Sequence, residues 1–134
     1  MDASLRRAWV PAALLVGAVY LVVGRAFALP EDHVRAWRLA AWIASGVVYA
    51  AHIGYEHFRL RSPPRATAVH AAVAVAIGAL GLAVVGMVHS LATTSALRPA
   101  WLLALLLWPV FAAVPAFLGA LLAATILARV RREP

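Results

Sequence analysis

From Ala66 to Leu97, and again from Pro99 to Ala128, the chain carries no aspartate, glutamate, lysine or arginine. A soluble helix keeps a charged or polar face toward water, and neither stretch has one. At about 1.5 Å per helical residue, each is long enough to cross a hydrocarbon core of about 30 Å. Two further apolar runs precede them, one uncharged between Arg7 and Arg25 and one uncharged from Leu39 to Tyr55. These runs predict spans at about 8–28, 35–58, 67–91 and 100–128. The fold class expected is all-α integral membrane, an antiparallel four-helix transmembrane bundle, with residues 1–134 as one domain. Composition points the same way. Of 134 residues, 65% are hydrophobic and only 13% are charged, about half the charged share of an ordinary soluble domain. A globule of this size has too little interior to hide so much apolar surface.

The breaks between runs are punctuated. Leu29-Pro30-Glu31-Asp32 ends the first, and Glu31 or Asp32 is placed to cap the next helix. Ser62-Pro63-Pro64 ends the second, and Thr93-Thr94-Ser95 with Pro99 separates the third from the fourth. Pro109 and Pro115 inside the fourth run predict a kink or tilt there. Small residues recur at helical spacing: Ala13, Gly17 and Gly24; Ala71, Ala74, Gly78 and Gly81; Ala112, Ala116, Gly119 and Ala123. Such stripes let helix backbones approach closely in lipid.

All twelve basic residues are arginine, giving a net charge of +7. They stand at the edges of the apolar runs and not on one soluble face, which excludes nucleic acid as a partner and reads as topology signal. With the N-terminus inside, one edge holds Arg6, Arg7, Arg59, Arg61, Arg65, Arg129, Arg131 and Arg132, eight in all. The other holds four, Arg25, Arg35, Arg38 and Arg98. That asymmetry predicts N-in and C-in. Arginine without lysine suggests a GC-rich coding bias, hence a bacterial inner membrane. Trp9, Trp37 and Trp101 fall near the expected interfaces. A competing reading takes Arg6-Arg7, the first apolar run and Ala26-Phe27-Ala28 as a secretory signal, but the run is long for one and Arg25 crowds the cut.

With no cysteine, thiolate metal sites and disulfides are absent. No Gly-rich phosphate loop or nucleophile elbow is present, so no enzyme is expected. One pattern rises above composition. Stepping by three and four along the second run gives Arg35, Arg38, Trp42, Ser45, Tyr49, His52, Glu56 and Arg59, a face that is polar, charged or amphipathic throughout. Lipid cannot satisfy such a stripe, so it is expected to face protein or water. The candidate polar site is His52, Glu56, Arg59, His70, Tyr49 and Ser45. His52 and Glu56 stand one turn apart, Arg59 is placed to pair with Glu56, and an antiparallel hairpin brings His70 to their level.

Four readings of this site compete. It is a structural ion-pair cluster, a proton or ion relay, a metal site of His52, Glu56 and His70, or a bis-histidine haem site. For haem, His33 to His52 and His70 to His89 share one spacing, so a hairpin pairs His52 with His70 and His33 with His89, but both pairs would fall in headgroups. The expected function is a structural or accessory membrane subunit with no cofactor, in the lipid bilayer and partnered by copies of itself or other membrane subunits. The alternative is a proton- or ion-coupled carrier or channel acting as an oligomer through His52, Glu56 and His70.

Overall fold

A computed structural model describes residues 8–28, 32–94 and 99–130. They form four helices: α1 (Trp9–Ala26), α2 (Val34–Phe58), α3 (Pro64–Thr94) and α4 (Pro99–Val130). Each covers one of the four apolar runs. Arg6, Arg7, Arg98, Arg131 and Arg132 lie outside the described residues, as do Glu31 and Ser95. α1, α3 and α4 are each long and apolar enough to cross a membrane. α2 has the length, at 25 residues, but its polar stripe dilutes its hydropathy and it does not join them on composition.

α3 is the centre of the arrangement, packing most extensively on α4 and then on α1. Gly17 lies against Ile77 and the Ala74 carbonyl, and Gly24 against Leu82, so α1 and α3 run the same way. Gly86 meets Trp101 near one end of α3, while Ala71 clusters with Ala120 near the other, so α3 and α4 run opposite ways. A Cβ at Gly78 would stand 2.6 Å from the Tyr20 Cβ and 3.1 Å from the Gly17 carbonyl. Only glycine permits that approach of α1 to α3.

The expected small-residue stripes meet as foreseen on α1 and α3, where Ala13, Gly17, Ala71, Ala74 and Gly78 are buried. On α4 the seam differs from expectation. The buried residues are Ala120 and Ala124, whereas Ala112, Ala116 and Gly119 line a cavity beside α2. Of the expected α4 set, Ala123 alone packs against the core cluster of Ile53, Ala68, Ala71 and Ala120. Alanine and leucine recur on every face of α4, so spacing alone could not choose the face.

α2 touches each of the other helices more lightly and does so unevenly. Its buried residues are His52, Ile53, Glu56 and His57, all in its C-terminal half. Towards its start, Leu39, Trp42, Ile43 and Val47 are exposed. α2 is therefore clamped at one end and stands away from α4 at the other.

The cap expected from Asp32 does not form. His33 is the N-cap, left-handed at φ 55° and without a side-chain capping bond. Its carbonyl accepts from Ala36 at 2.8 Å and Trp37 at 3.2 Å. Asp32 thus sits one residue too early for its carboxylate to meet the first-turn amides. Helix α4 continues through Pro109 and Pro115 without interruption.

Candidate functional site

α2 ends in a tight wrap that turns its last polar residues inward. Arg59 and Leu60 both donate their amides to the Tyr55 carbonyl, at 2.9 and 3.2 Å. Arg61 then adopts φ 52°, which reverses the chain, and the Ser62 amide reaches back to the Glu56 carbonyl at 3.0 Å. Pro63 and Pro64 follow. Proline suits the first position of a helix because its missing N–H would have no partner there. The Pro63 carbonyl accepts the Thr67 amide at 3.0 Å as α3 begins.

Within this wrap Glu56 is completely buried. Its Oε2 accepts the Ser62 hydroxyl at 2.6 Å. Its Oε1 faces two imidazoles, His70 Nδ1 at 3.1 Å and His52 Nε2 at 3.9 Å. The His70 contact is close but not aligned as a hydrogen bond, so it is an ion pair when His70 carries a second proton. The other face of His70 is covered by Trp9, whose ring stacks on it with centroids 4.2 Å apart and planes within 1°. His57 is buried beside Glu56, edge-on to Phe58. Thr67, one turn before His70 on α3, is fully buried, and its hydroxyl has no partner among the described residues. One carboxylate therefore joins the end of α2, the following turn and α3, and the tryptophan joins α1 to them.

One turn further from this end, the Tyr49 hydroxyl donates to the Ala116 carbonyl of α4. Tyr49 also fills the space beside Gly119, where a Cβ would meet its hydroxyl at 3.1 Å. Beyond Tyr49 lies a cavity of about 610 Å³, bounded by Tyr20, Ser45, Val75, Leu82 and Trp108 among others. His52, Glu56 and His70 are not among its walls.

The structure thus brings His52, Glu56 and His70 together, ties Tyr49 to α4, and places Ser45 on the cavity wall. It does not bring Arg59 to Glu56. Arg59 is the C-cap residue and is exposed, with no carboxylate within ion-pair distance among the described residues. Arg59 keeps helical backbone, but the Glu56 carboxylate is turned inward to Ser62 and His70 while the Arg59 side chain stays at the surface. The stripe divides at Tyr49. Below it His52 and Glu56 enter protein; above it, Trp42 is 79% exposed.

In the haem pairing of His52 with His70, Glu56 Oε1 stands 3.1 Å from His70 Nδ1 and 3.9 Å from His52 Nε2. His33 and His89 are both exposed. Among the described residues, no group of three histidines or carboxylates is arranged to hold a metal ion. Ser62, Thr67 and Trp9 complete the site without having been expected there. Thr67 shared a helical face with His70, which is the one sequence signal that pointed to it.

Chemically, a carboxylate between two imidazoles can hold a proton and share it with either ring. Here it stands apart from the cavity beside Tyr49, and among the described residues Ser62 is its one aligned side-chain donor. Comparison with known proteins gives no matching family model, no matching curated protein and no matching solved structure.

Proposed function

We propose that the chain is an integral protein of a bacterial inner membrane, an antiparallel four-helix transmembrane bundle with both termini on the cytoplasmic side. Its role is that of a non-enzymatic structural or accessory subunit, assembled with copies of itself or with other membrane chains. Three long apolar helices support the membrane setting. α2 joins them as a fourth span because its C-terminal half is enclosed by the other three, which removes its most polar residues from lipid.

The observation that carries the accessory reading over the carrier reading is the burial of Glu56. An ion-coupled relay needs a wet path to its titrating group. Glu56 is 0% exposed, and it does not line the cavity beside Tyr49. A buried carboxylate bonded to its own turn acts as a clamp. Such clamps fix helix depth and register.

The test has two arms. Alkaline carbonate should leave the protein in the membrane pellet, and reporter fusions should place both termini in the cytoplasm. Purified protein in vesicles should then give no proton or cation flux at any pH. Flux abolished by Glu56→Gln would reverse the reading in favour of the carrier.

A further inference from the structure

We propose that the cavity between α2 and α4 is a seat for the two acyl chains of an anionic phospholipid, whose phosphate is held by Arg35 and Arg38. The proposal rests on the membrane reading above and adds a specific ligand to it.

The cavity lies across the middle of the bundle. Its α4 wall runs from Trp108 to Gly119, about the centre of that helix, a rise of about 16 Å at 1.5 Å per residue. That is close to the depth of one layer of acyl chains, about 15 Å. It is blind at its deep end, where Tyr49 bonds to the Ala116 carbonyl and closes the way to His52 and Glu56. It is open along its side: Trp42, Trp108 and Phe111 form the lips and are 79%, 57% and 69% exposed. A ligand can therefore enter laterally from the bilayer and cannot pass on to the Glu56 cluster.

Its volume suits acyl chains, at about 610 Å³ over a length of about 16 Å. An extended hydrocarbon chain is about 4–5 Å across at van der Waals contact, so two lie side by side in the space. The floor suits them, because beside Gly46 a Cβ would meet nothing within 4 Å.

The charge stands where the headgroup would be. Arg38 is one turn before Trp42 on the cavity-facing stripe of α2, and Arg35 is the next position on that stripe. Both are exposed, and among the described residues neither has a carboxylate within ion-pair distance. Two guanidinium groups beyond the outer end of an apolar slot match a lipid phosphate, which arginine binds through paired N–H donors.

Delipidated protein in mild detergent is titrated with phosphatidylglycerol and with phosphatidylcholine of the same chains, and bound lipid is counted by native mass spectrometry. The expected result is one tightly held phosphatidylglycerol, favoured at least about tenfold over phosphatidylcholine. Arg35→Ala with Arg38→Ala should erase the preference and leave weak binding of both. Gly46→Trp should block binding of both while the protein keeps its melting temperature. Equal binding of the two lipids, or binding untouched by Gly46→Trp, would overturn the proposal. A dimer that Gly46→Trp disrupts would also overturn it, by making a second helix the occupant. Failure of the membrane reading itself is a separate result, since the chain would then leave the membrane pellet in carbonate.

Discussion

Ser62 donates to Glu56 twice, through its amide to the Glu56 carbonyl at 3.0 Å and through its hydroxyl to the carboxylate at 2.6 Å. A single residue of the α2–α3 turn thus engages both the backbone carbonyl and one carboxylate oxygen of the buried Glu56. The turn and the carboxylate hold each other in place.

Glu56→Gln keeps an acceptor for the Ser62 hydroxyl and fills the same space, so it should lower stability in detergent by about 1 kcal/mol or less. Glu56→Leu removes the partner of Ser62 and leaves His70 facing hydrocarbon. It should cost about 1–3 kcal/mol more. Thermal unfolding of the two variants side by side checks the order, and a Gln variant as weak as the Leu variant would show that the negative charge is what matters.

Trp9 holds α1 to α3 through the His70 ring. Trp9→Phe should retain most of the stack. Trp9→Ala should lose about 0.5–1.5 kcal/mol beyond its buried area and loosen the start of α1. Protease sensitivity of the N-terminal segment, followed with time, is the readout; equal rates for both variants would contradict the stack's role.

Two glycines make a matched pair. At Gly78 an added methyl collides with Tyr20 and the Gly17 carbonyl, so Gly78→Ala must separate α1 from α3 and should destabilise by about 1–3 kcal/mol. Gly46 has open space beside it, and Gly46→Ala should be neutral or stabilising by up to about 1 kcal/mol through helix propensity. Melting temperatures of both variants in one detergent settle the comparison.

Arg61 is left-handed at φ 52°, a conformation that costs a non-glycine residue about 1–2 kcal/mol. Arg61 is exposed and has no ion-pair partner among the described residues. Arg61→Gly should therefore raise stability, by about 1 kcal/mol, without altering the cluster. A lower melting temperature would mean that its charge outweighs the strain.

The four helices and the meeting of His52, Glu56 and His70 were legible in the sequence because each follows from a simple period. Charge-free runs give the helices, a step of four residues joins His52 to Glu56, and a short proline turn brings His70 alongside. What escaped depends on how α2 ends. Ser62 and Arg59 exchange expected roles because Arg61 turns left-handed, and nothing in Arg-Ser-Pro-Pro dictates that. Trp9 reads as a belt residue from its place near the first arginines; its partner lies on a helix far along the chain. On α4, Ala120 is the buried residue because Ala68 and Ala71 of α3 and Ile53 of α2 pack on it, a long-range choice that no local period encodes.

Pro109 and Pro115 have a mechanical consequence. A proline nitrogen cannot donate, so the carbonyls of Leu105 and Phe111 lose their partners one turn back. Both losses fall in the first two-thirds of α4, while Ala116–Val130 contains no proline and carries the buried seam of Ala120 and Ala124. The helix is stiff where it is bolted down and compliant where it forms a wall. Amide exchange should therefore be fastest just ahead of each proline, and the slot beside α2 can change its bore by bending one helix while the clamped end stays still.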